Sequence, residues 1–381
     1  MIKTKFVFSF SLFVFLTTSL FFNIQAQTTL KDAFKDYFLI GAALNREQIY
    51  ESDERGANIV KTQFNTISPE NILKWEAVHP QADKYDFEAS DRYVAFGEKH
   101  GMFTIGHTLV WHNQTPDWVF KDAKGNFVSR DELLKRLREH IYTVVGRYKG
   151  KIKGWDVVNE ALNDDGTLRQ TPWLKIIGED FILKAFQFAH EADPNAELYY
   201  NDYSLENEAK RKGAIALVKR LQAKGIPIKA IGLQDHNNLQ YPTIAEKDAA
   251  ISDFAKLGIK VNITELDVSV LPDPQGFSGA EVTLNFEMQE KLNPYKKGLP
   301  DPVQQQLAKR YADLFGVFLK HRRDIARVTF WNVTDRESWL NNFPVRGRTN
   351  YPLLFDRAGQ AKLAFDAVIK AVQKFSNENQ K

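Results

Sequence analysis

The chain of 381 residues contains no cysteine. Disulfide bonds, thiolate metal ligands and a cysteine-linked lipid anchor are therefore excluded. Lys and Arg number 51 against 48 Asp and Glu, and the two signs are interspersed rather than gathered into a basic block. We therefore expect no nucleic acid partner. Secreted domains depend on disulfides mainly when they are small, so the absence of cysteine is compatible with export.

Several motifs of cofactor-dependent and nucleophilic enzymes are also missing. The chain has no HExxH sequence, no calcium-binding loop, no glycine-rich phosphate loop and no GxSxG turn. His107 and His112 are five residues apart, so on a strand they would point to opposite faces. We therefore predict no metal site and no cofactor. No flexible linker, low-complexity stretch or repeat separates a second module.

Only one apolar run is long, and it lies at the N-terminus. The run Phe6–Phe22 follows a short basic stretch, and Ala26 ends a small-residue cleavage site. We predict a secretion signal peptide over residues 1–26 and a single domain over 27–381. A retained membrane anchor is the alternative, although the run is short of the ~20 residues needed to span a bilayer. We expect no stable membrane insertion after signal removal, and a secreted or periplasmic protein.

The remaining chain alternates short apolar strands, polar loops and amphipathic helices. This rhythm is typical of α/β proteins with a parallel sheet, and eight such strands predict a (β/α)8 TIM barrel. The predicted strands are 38–43, 59–64, 102–110, 152–158, 197–200, 230–233, 260–264 and 325–330. Examples of predicted helices are 131–147, 176–192, 207–223, 245–256 and 302–321.

Two glutamates each close a predicted strand. Glu160 ends the apolar run from residue 152, and Glu265 ends the run from residue 258. Carboxylates at the C-terminal ends of parallel strands lie at the mouth of a barrel, where catalytic groups are found. A pair of carboxylates with amides such as Asn159 nearby is what cleavage of a glycosidic bond requires. A salt bridge at the strand end is the alternative interpretation of Glu265.

A polar face is predicted next to Glu265. Side chains alternate along a strand, so Glu265 and Asp267 share one face, and Gln234 and His236 share a face of the preceding strand. Such a polar run would be costly in a closed core but can form hydrogen bonds at a wet barrel mouth. We therefore predict His236 within reach of Glu265 and Asp267. A structural histidine with satisfied hydrogen bonds is the alternative.

Tryptophans at strand ends suggest a sugar ligand, because flat indole rings stack on the apolar faces of sugars. The candidates are Trp75, Trp111, Trp331 and Trp339. We expect Trp155 and Trp173 to belong to the core. The long polar segment 272–300 follows the strand of Glu265, and we predict that it helps to build a substrate cleft. A structural excursion without ligand contact is the alternative.

These residues lie in motifs that resemble family 10 glycoside hydrolases, the endo-β-1,4-xylanases. The motifs are Glu-Asn-Ile-Leu-Lys-Trp-Glu at 70–76, Gly-His-Thr-Leu-Val-Trp-His at 106–112, Trp-Asp-Val-Val-Asn-Glu-Ala at 155–161, Tyr-Asn-Asp-Tyr at 200–203, Gly-Leu-Gln-Asp-His at 232–236, Ile-Thr-Glu-Leu-Asp-Val at 263–268 and the segment 331–340. The resemblance runs from about residue 38 to residue 371. It implies a TIM barrel and a retaining mechanism, with Glu160 as acid/base, Glu265 as nucleophile, and His236 and Asp267 supporting the nucleophile.

The resemblance also implies a set of substrate contacts. Contacts to the two sugars on the non-reducing side are Glu70, Asn71, Lys74, His107, Trp111, Asn159, Gln234, Trp331 and Trp339. Gln114, Asn201 and Tyr203 are expected near the cleavage point or just beyond it. The chain departs from the family pattern at Asp235, Asn237, Asn238 and Asn332, which leaves the shape of the groove on the reducing-end side open.

We therefore expect an endo-xylanase that acts on xylan and xylo-oligosaccharides as a monomer. Because a general acid must hold its proton at working pH, we predict a raised pKa for Glu160 and an ionised Glu265. Two alternatives remain: a related barrel glycosidase that acts on glucan or mannan, and a catalytically silent barrel that binds glycan.

Overall fold

A closed ring of eight parallel strands forms the centre of the computed structural model, which describes residues 28–277 and 279–379. The predicted signal peptide therefore lies outside the described residues. In chain order the strands are β1 Leu39–Leu44, β2 Thr66–Pro69, β3 Phe103–Val110, β4 Gly154–Asn159, β5 Glu197–Asp202, β6 Ile228–Leu233, β7 His236–Asn238, β8 Lys260–Ser269 and β9 Ile325–Phe330. Each ring strand pairs in parallel with its neighbours, and pairing of β6 with β8 closes the ring. The predicted (β/α)8 barrel is confirmed.

The short strand β7 is not part of the ring. It pairs with the C-terminal end of β8, which is the longest strand, and its first residue His236 stands opposite Asp267. Asp235, with a φ of 69°, interrupts the extended backbone between β6 and β7. This break lets the segment 234–236 turn across the end of the barrel instead of continuing β6.

Helices surround the barrel. Within the described residues they are α1 Leu30–Ala33, α2 Arg46–Ile49, α3 Glu54–Gln63, α4 Trp75–Val78, α5 Glu88–Lys99, α6 Asp117–Phe120, α7 Arg130–Arg147, α8 Pro172–Ile177, α9 Phe181–Ala192, α10 Glu208–Ala223, α11 Ile244–Ala255, α12 Asp301–Lys320 and α13 Leu363–Asn379. Single 3₁₀ turns occupy Glu290–Leu292 and Trp339–Asn341. Many helices begin with a side-chain cap, as in α11, where Thr243 and Glu246 form a capping box.

Two predicted elements are wrong. The run 59–64 lies in helix α3 and its C-cap rather than in a strand, because Asp53 caps this helix at its N-terminus and Ala57, Ile59 and Val60 bury one helical face. The second barrel strand is the short β2 that follows. The predicted helix 176–192 is divided into α8 and α9, since Gly178 adopts a φ of 92° between them.

The core lies between the helices and the outer face of the barrel, and a smaller cluster of Ile105, Tyr199 and Ala230 fills part of the interior. Trp155 and Trp173 are fully buried, as predicted. No helix in the part of the chain that the structure describes has both the length and the apolar character needed to cross a membrane.

Candidate active site

A cavity of about 220 Å³ opens at the C-terminal ends of the barrel strands. Glu160 and Glu265 both line it. The other predicted site residues in its wall are Glu70, Asn71, Lys74, His107, Trp111, Gln114, Asn159, Gln234, His236, Trp331 and Trp339. These residues lie in or follow six of the ring strands, so the closing of the barrel gathers segments that are far apart in sequence. Ala280 and Val282 complete the wall, and neither was predicted individually.

Glu160 directly follows β4 and is buried, with a φ of 55° that few residues other than glycine adopt. Its backbone N–H donates to the carbonyl of Asn201 at 2.9 Å. Three uncharged groups donate to its carboxylate: the indole N–H of Trp111 at 2.8 Å, the amide of Gln234 at 2.8 Å and the amide of Asn159 at 3.2 Å. The main chain and the donors together fix the direction in which this carboxyl group points.

The pKa of Glu160 is raised above its usual value, mainly because burial disfavours the charged form. His112 and the hydrogen bond from Gln234 oppose this change, and the nearby Asp202 carboxylate reinforces it. The donors to Glu160 are therefore too weak to offset its desolvation. The raised pKa agrees in direction with the expectation for a general acid.

Glu265 lies within β8 and has a different set of partners. One carboxylate oxygen accepts from the amide of Asn201 at 2.8 Å, and the other lies 3.2 Å from Nε2 of His236. The Nδ1 atom of His236 lies 3.1 Å from Asp267, and Asp267 also accepts from the indole of Trp339 at 2.7 Å. The predicted contact of His236 with both carboxylates is thus present in the structure.

The charges in this group favour an ionised Glu265. Burial alone would lower the pKa of His236, but the charge and hydrogen bond of Asp267, together with Glu265, raise that pKa to about 10. Since both ring nitrogens face carboxylates, His236 is an imidazolium that donates to each. Burial by itself would raise the pKa of Glu265, but the hydrogen bond from His236 and the charge of His107 lower it.

An amide network connects the two carboxyl groups. Asn159 and Asn201 are partners in the β4–β5 register, and the amide of Asn201 donates to Asn159 at 3.0 Å as well as to Glu265. Gln234 donates to both Asn159 and Glu160. Gly232 on β6 makes room for this network, because a Cβ atom there would lie 2.2 Å from the side-chain oxygen of Asn201. The relative positions of the carboxyl groups are therefore set by three adjacent strands.

Lys74 forms the opposite side of the cavity. Its buried ammonium donates to Asn71 at 2.8 Å and to Gln114 at 2.9 Å, and it lies 4.8 Å from the centroid of the Trp111 ring. Burial lowers the pKa of Lys74, although the charges of Glu265, Glu70 and Glu160 oppose this. Such a cluster of donors and acceptors beside an indole face suits a hydroxylated ligand.

His107 is held by a residue that the sequence interpretation missed. Its Nδ1 atom lies 2.9 Å from the buried carboxylate of Asp156, which lies on β4 three residues before Asn159. Trp331 packs edge-on against His107, with ring centroids 5.5 Å apart. Because Asp156 and His107 are opposite each other in the β3–β4 register, the alternation of side chains along β4 was a signal that could have identified Asp156.

Three predicted residues lie outside the cavity wall. Asp267 and Asn201 stand behind it and contact its residues through the hydrogen bonds given above. The hydroxyl of Tyr203 accepts from Arg169 at 2.7 Å, and its ring lies 3.5 Å from the ammonium of Lys210. Trp75 is also not a wall residue, since it is buried against His140 with ring centroids 3.6 Å apart.

Asp235, one of the positions at which the chain departs from the family pattern, belongs to a buried ion cluster. Asp235 and Glu206 both contact the ammonium of Lys247, and all three side chains are buried. Lys247 lies on α11, so the cluster joins that helix to the segment that carries Gln234 and His236.

The long polar segment 272–300 reaches the cavity through Ala280 and Val282.

The residues that the structure describes contain no group of three or more His, Cys, Asp or Glu arranged to hold a metal ion. The groups in the cavity wall are instead carboxylates, amides, one ammonium, two imidazoles and three indoles. Such a set can transfer protons, attack an electrophilic carbon and form hydrogen bonds with several hydroxyl groups.

The chain matches the family model "Glycosyl hydrolase family 10" over residues 29–371. It is 48% identical over 346 residues to "Endo-1,4-beta-xylanase A" of Xylanibacter ruminicola, covering 91% of this chain and 94% of the relative. It is 44% identical to "Beta-1,4-xylanase" of Dictyoglomus thermophilum, covering 97% and 100%. A solved endoxylanase of this family from a sugarcane soil metagenome superposes with a TM-score of 0.86 at 43% identity, covering 91% and 100%. The resemblance noted in the sequence is confirmed, and the chain belongs to glycosyl hydrolase family 10.

Proposed function

We propose that this protein is a retaining endo-1,4-β-xylanase that acts as a monomer on xylan and xylo-oligosaccharides. The relatives that it matches over more than nine tenths of its length are named xylanases. The observation that carries the catalytic assignment is the contrast between Glu160 and Glu265. Both are buried, yet the pKa of Glu160 is raised and that of Glu265 is lowered. Two carboxyl groups driven apart in this way suit an acid and a nucleophile.

In the first step Glu265 attacks the anomeric carbon while Glu160 gives its proton to the glycosidic oxygen, so the leaving sugar departs and a glycosyl-enzyme forms. In the second step Glu160, now a carboxylate, takes a proton from water as the water attacks the same carbon, and the bond from that carbon to Glu265 breaks, which frees the Glu265 carboxylate. The imidazolium of His236 stabilises the carboxylate of Glu265 before attack and again after its release. The reaction needs no cofactor.

The remaining wall residues position the sugars. Asn159 donates to Glu160 and is connected to Glu265 through Asn201, and its amide would bind the 2-hydroxyl of the sugar being transferred. Lys74, Asn71 and Glu70 would bind hydroxyls of the sugars on the non-reducing side, and Trp331 and Trp339 would contact sugar faces.

The proposal also includes export. Residues 1–26 would be removed as a signal peptide, leaving a mature chain that is secreted or periplasmic and begins at Gln27. N-terminal sequencing of the protein recovered outside the cytoplasm tests this part separately. An N-terminus at Met1 would contradict it.

Side-by-side digestion of xylan, cellulose and mannan tests the activity. We expect reducing ends to appear from xylan, with a mixture of internal fragments early in the reaction. Preferred release from cellulose or mannan would support the alternative glycosidase, and no release from any of the three would support a silent binding barrel. Proton NMR of fresh products should show the β-anomer first, because two inversions retain the configuration.

A further inference from the structure

A second cavity adjoins the catalytic cavity at the barrel mouth. Its volume is about 360 Å³, and His236 and Trp339 line both cavities. Ser204, just after β5, and Asn238 on β7 also line the second cavity. The two spaces therefore share a boundary near the nucleophile's imidazolium partner.

A short strap, defined here as residues 279–282 of the long segment after β8, forms the wall between these cavities. Gly279 lines the second cavity, whereas Ala280 and Val282 line the catalytic cavity. Ala280 is buried. A ligand that occupied both cavities at once would have to cross the strap.

Glu281 fastens the strap to the opposite side of the mouth. Its carboxylate forms an ion pair with Arg169, faces Nε2 of His112 at 3.9 Å and accepts from the hydroxyl of Thr283 at 3.0 Å. Arg169 also donates to Tyr203. The side chains of Arg169 and Glu281 are 18% and 19% exposed, so this pair is screened less by salt than a surface pair.

With Glu160 as the acid and Glu265 as the nucleophile, the strap stands on the leaving-group side. Glu160 as the acid lies beside the bond being cut, and three of the expected contacts on the non-reducing side, Glu70, Asn71 and Lys74, follow β2. Arg169 and Tyr203 follow β4 and β5, beyond Glu160 in the order of the strands. Burial raises the pKa of Tyr203, the Arg169 charge opposes this, and the Glu160 charge adds to it, so these groups lie near the acid.

We infer that Glu281 is a specificity-determining residue, which latches the strap so that long leaving groups are accepted only when the strap opens and the two cavities join. This inference rests on the proposed function. A small leaving group needs no room beyond Glu160 and is released with the strap closed. A xylan chain must extend across the strap, so its cleavage depends on the fraction of molecules with the latch open.

Glu281→Gln tests the latch. The change keeps the size of the side chain and removes the charge that pairs with Arg169. We expect kcat/KM for xylan, divided by kcat/KM for β-xylobiosyl fluoride, to rise roughly fivefold or more. Glu290→Gln is the matched control, since Glu290 is exposed in the same long segment. An unchanged or lower ratio in Glu281→Gln would overturn the inference.

A reversible disulfide bond between the strap and the residue after β5 provides a second test. The chain has no cysteine of its own that could form a competing disulfide. A Cβ atom built on Gly279 lies 3.6 Å from Oγ of Ser204 and 3.0 Å from the ring of Tyr203, at a φ of 74° that strains residues other than glycine, so the S204C/G279C disulfide is compared with its own reduced form. In the oxidised form we expect xylan cleavage to fall about tenfold or more while xylobiosyl fluoride hydrolysis stays within about twofold, and dithiothreitol to restore the former. The reduced form is the control, because both forms carry the same substitutions.

Equal rates of xylan cleavage in the oxidised and reduced forms would overturn the inference. Loss of activity on both substrates on oxidation would also overturn it. Failure of the unmodified protein to hydrolyse either substrate would instead overturn the proposed function, and with it this inference.

Discussion

The two active-site glutamates are buried to a similar degree, but their surroundings differ in charge. Glu160 accepts hydrogen bonds from three neutral donors, whereas Glu265 accepts one from an amide and one from the imidazolium of His236. Burial opposes ionisation of both. The pKa of Glu160 stays raised despite its neutral donors, whereas the charged donor His236, together with the charge of His107, lowers the pKa of Glu265. At Glu160 the charges of Asp202 and Glu265 oppose that of His112, whereas at Glu265 the charges of His236 and His107 both lower the pKa, so the balance of neighbouring charges distinguishes the two proposed roles.

The largest effects are expected when the carboxyl group of Glu160 or of Glu265 is removed. With Glu265→Ala no glycosyl-enzyme can form, so all substrates should fail. With Glu160→Ala xylan cleavage should fall on the order of 10²–10⁴-fold, while the first step with an aryl xylobioside that has an acidic phenol should survive. Azide should rescue Glu160→Ala and give the β-azide, identified by NMR. A β-azide from Glu265→Ala instead would reverse the two roles.

Lys247 tests whether a cation is needed where two carboxylates are buried together. Lys247→Met leaves Glu206 and Asp235 without it, and we expect the free energy of unfolding to fall by about 3–5 kcal/mol. Urea denaturation measures this change. In the control Lys247→Met/Asp235→Ser, one unpaired charge is removed, so part of the loss should be recovered. Equal stability of the single variant and the unaltered protein would show that the cluster is not an obligatory ion pair.

His236→Asn should make Glu265 resemble Glu160. Without the imidazolium, burial is opposed only by weaker partners, so the pKa of Glu265 should rise from below to above its ordinary value of 4.5. Because the nucleophile must be ionised, the acid limb of kcat/KM for xylobiosyl fluoride should move to higher pH. His190→Asn on α9 is a control and should leave the limb in place. An acid limb that stayed where it is in the unaltered enzyme would argue against the assigned role of His236.

Trp111→Phe should increase the difference in pKa between Glu160 and Glu265, with a smaller effect than the changes above. The ring is largely kept, but Glu160 loses a donor that favours its charged form, so its pKa should rise further. The alkaline limb of kcat/KM for xylan should therefore move to higher pH, with a loss of about 2- to 10-fold below that limb. Trp118→Phe removes an indole that donates to the carbonyl of Pro80 and should leave the limb unchanged. A shift to lower pH would contradict this account of the donors.

The pattern of apolar and polar residues along the chain predicts most of the barrel. It fails where local preferences compete with tertiary packing. Periodicity identified seven of the eight ring strands, because parallel strands buried on both faces form continuous apolar runs. It misplaced the second strand, since Thr66–Pro69 is only four residues long and the more apolar run before it belongs to a helix. A single glycine divided the predicted helix 176–192, an effect that the apolar pattern alone does not reveal.

Much of the site could be predicted, but its partners could not. Strand-end position and motif resemblance identified the residues that line the catalytic cavity except Ala280 and Val282, whereas Asp156, Arg169 and Glu281 were missed. Asp156 lies inside the apolar strand β4, away from the strand end at which catalytic residues were expected. Arg169 and Glu281 are 112 residues apart and lie in loops, where no periodicity links one residue to another.

The sequence by itself determined the class of fold, the two glutamates and the His236–Asp267 pair, because alternation along a strand and the position of a strand end are local properties. Only the tertiary structure decided which charge each glutamate meets, how the amides of three strands join the two carboxyl groups, and where the strap crosses the mouth. These depend on barrel closure and loop path, since electrostatic and hydrogen-bond energies are set by distances between groups that are remote along the chain.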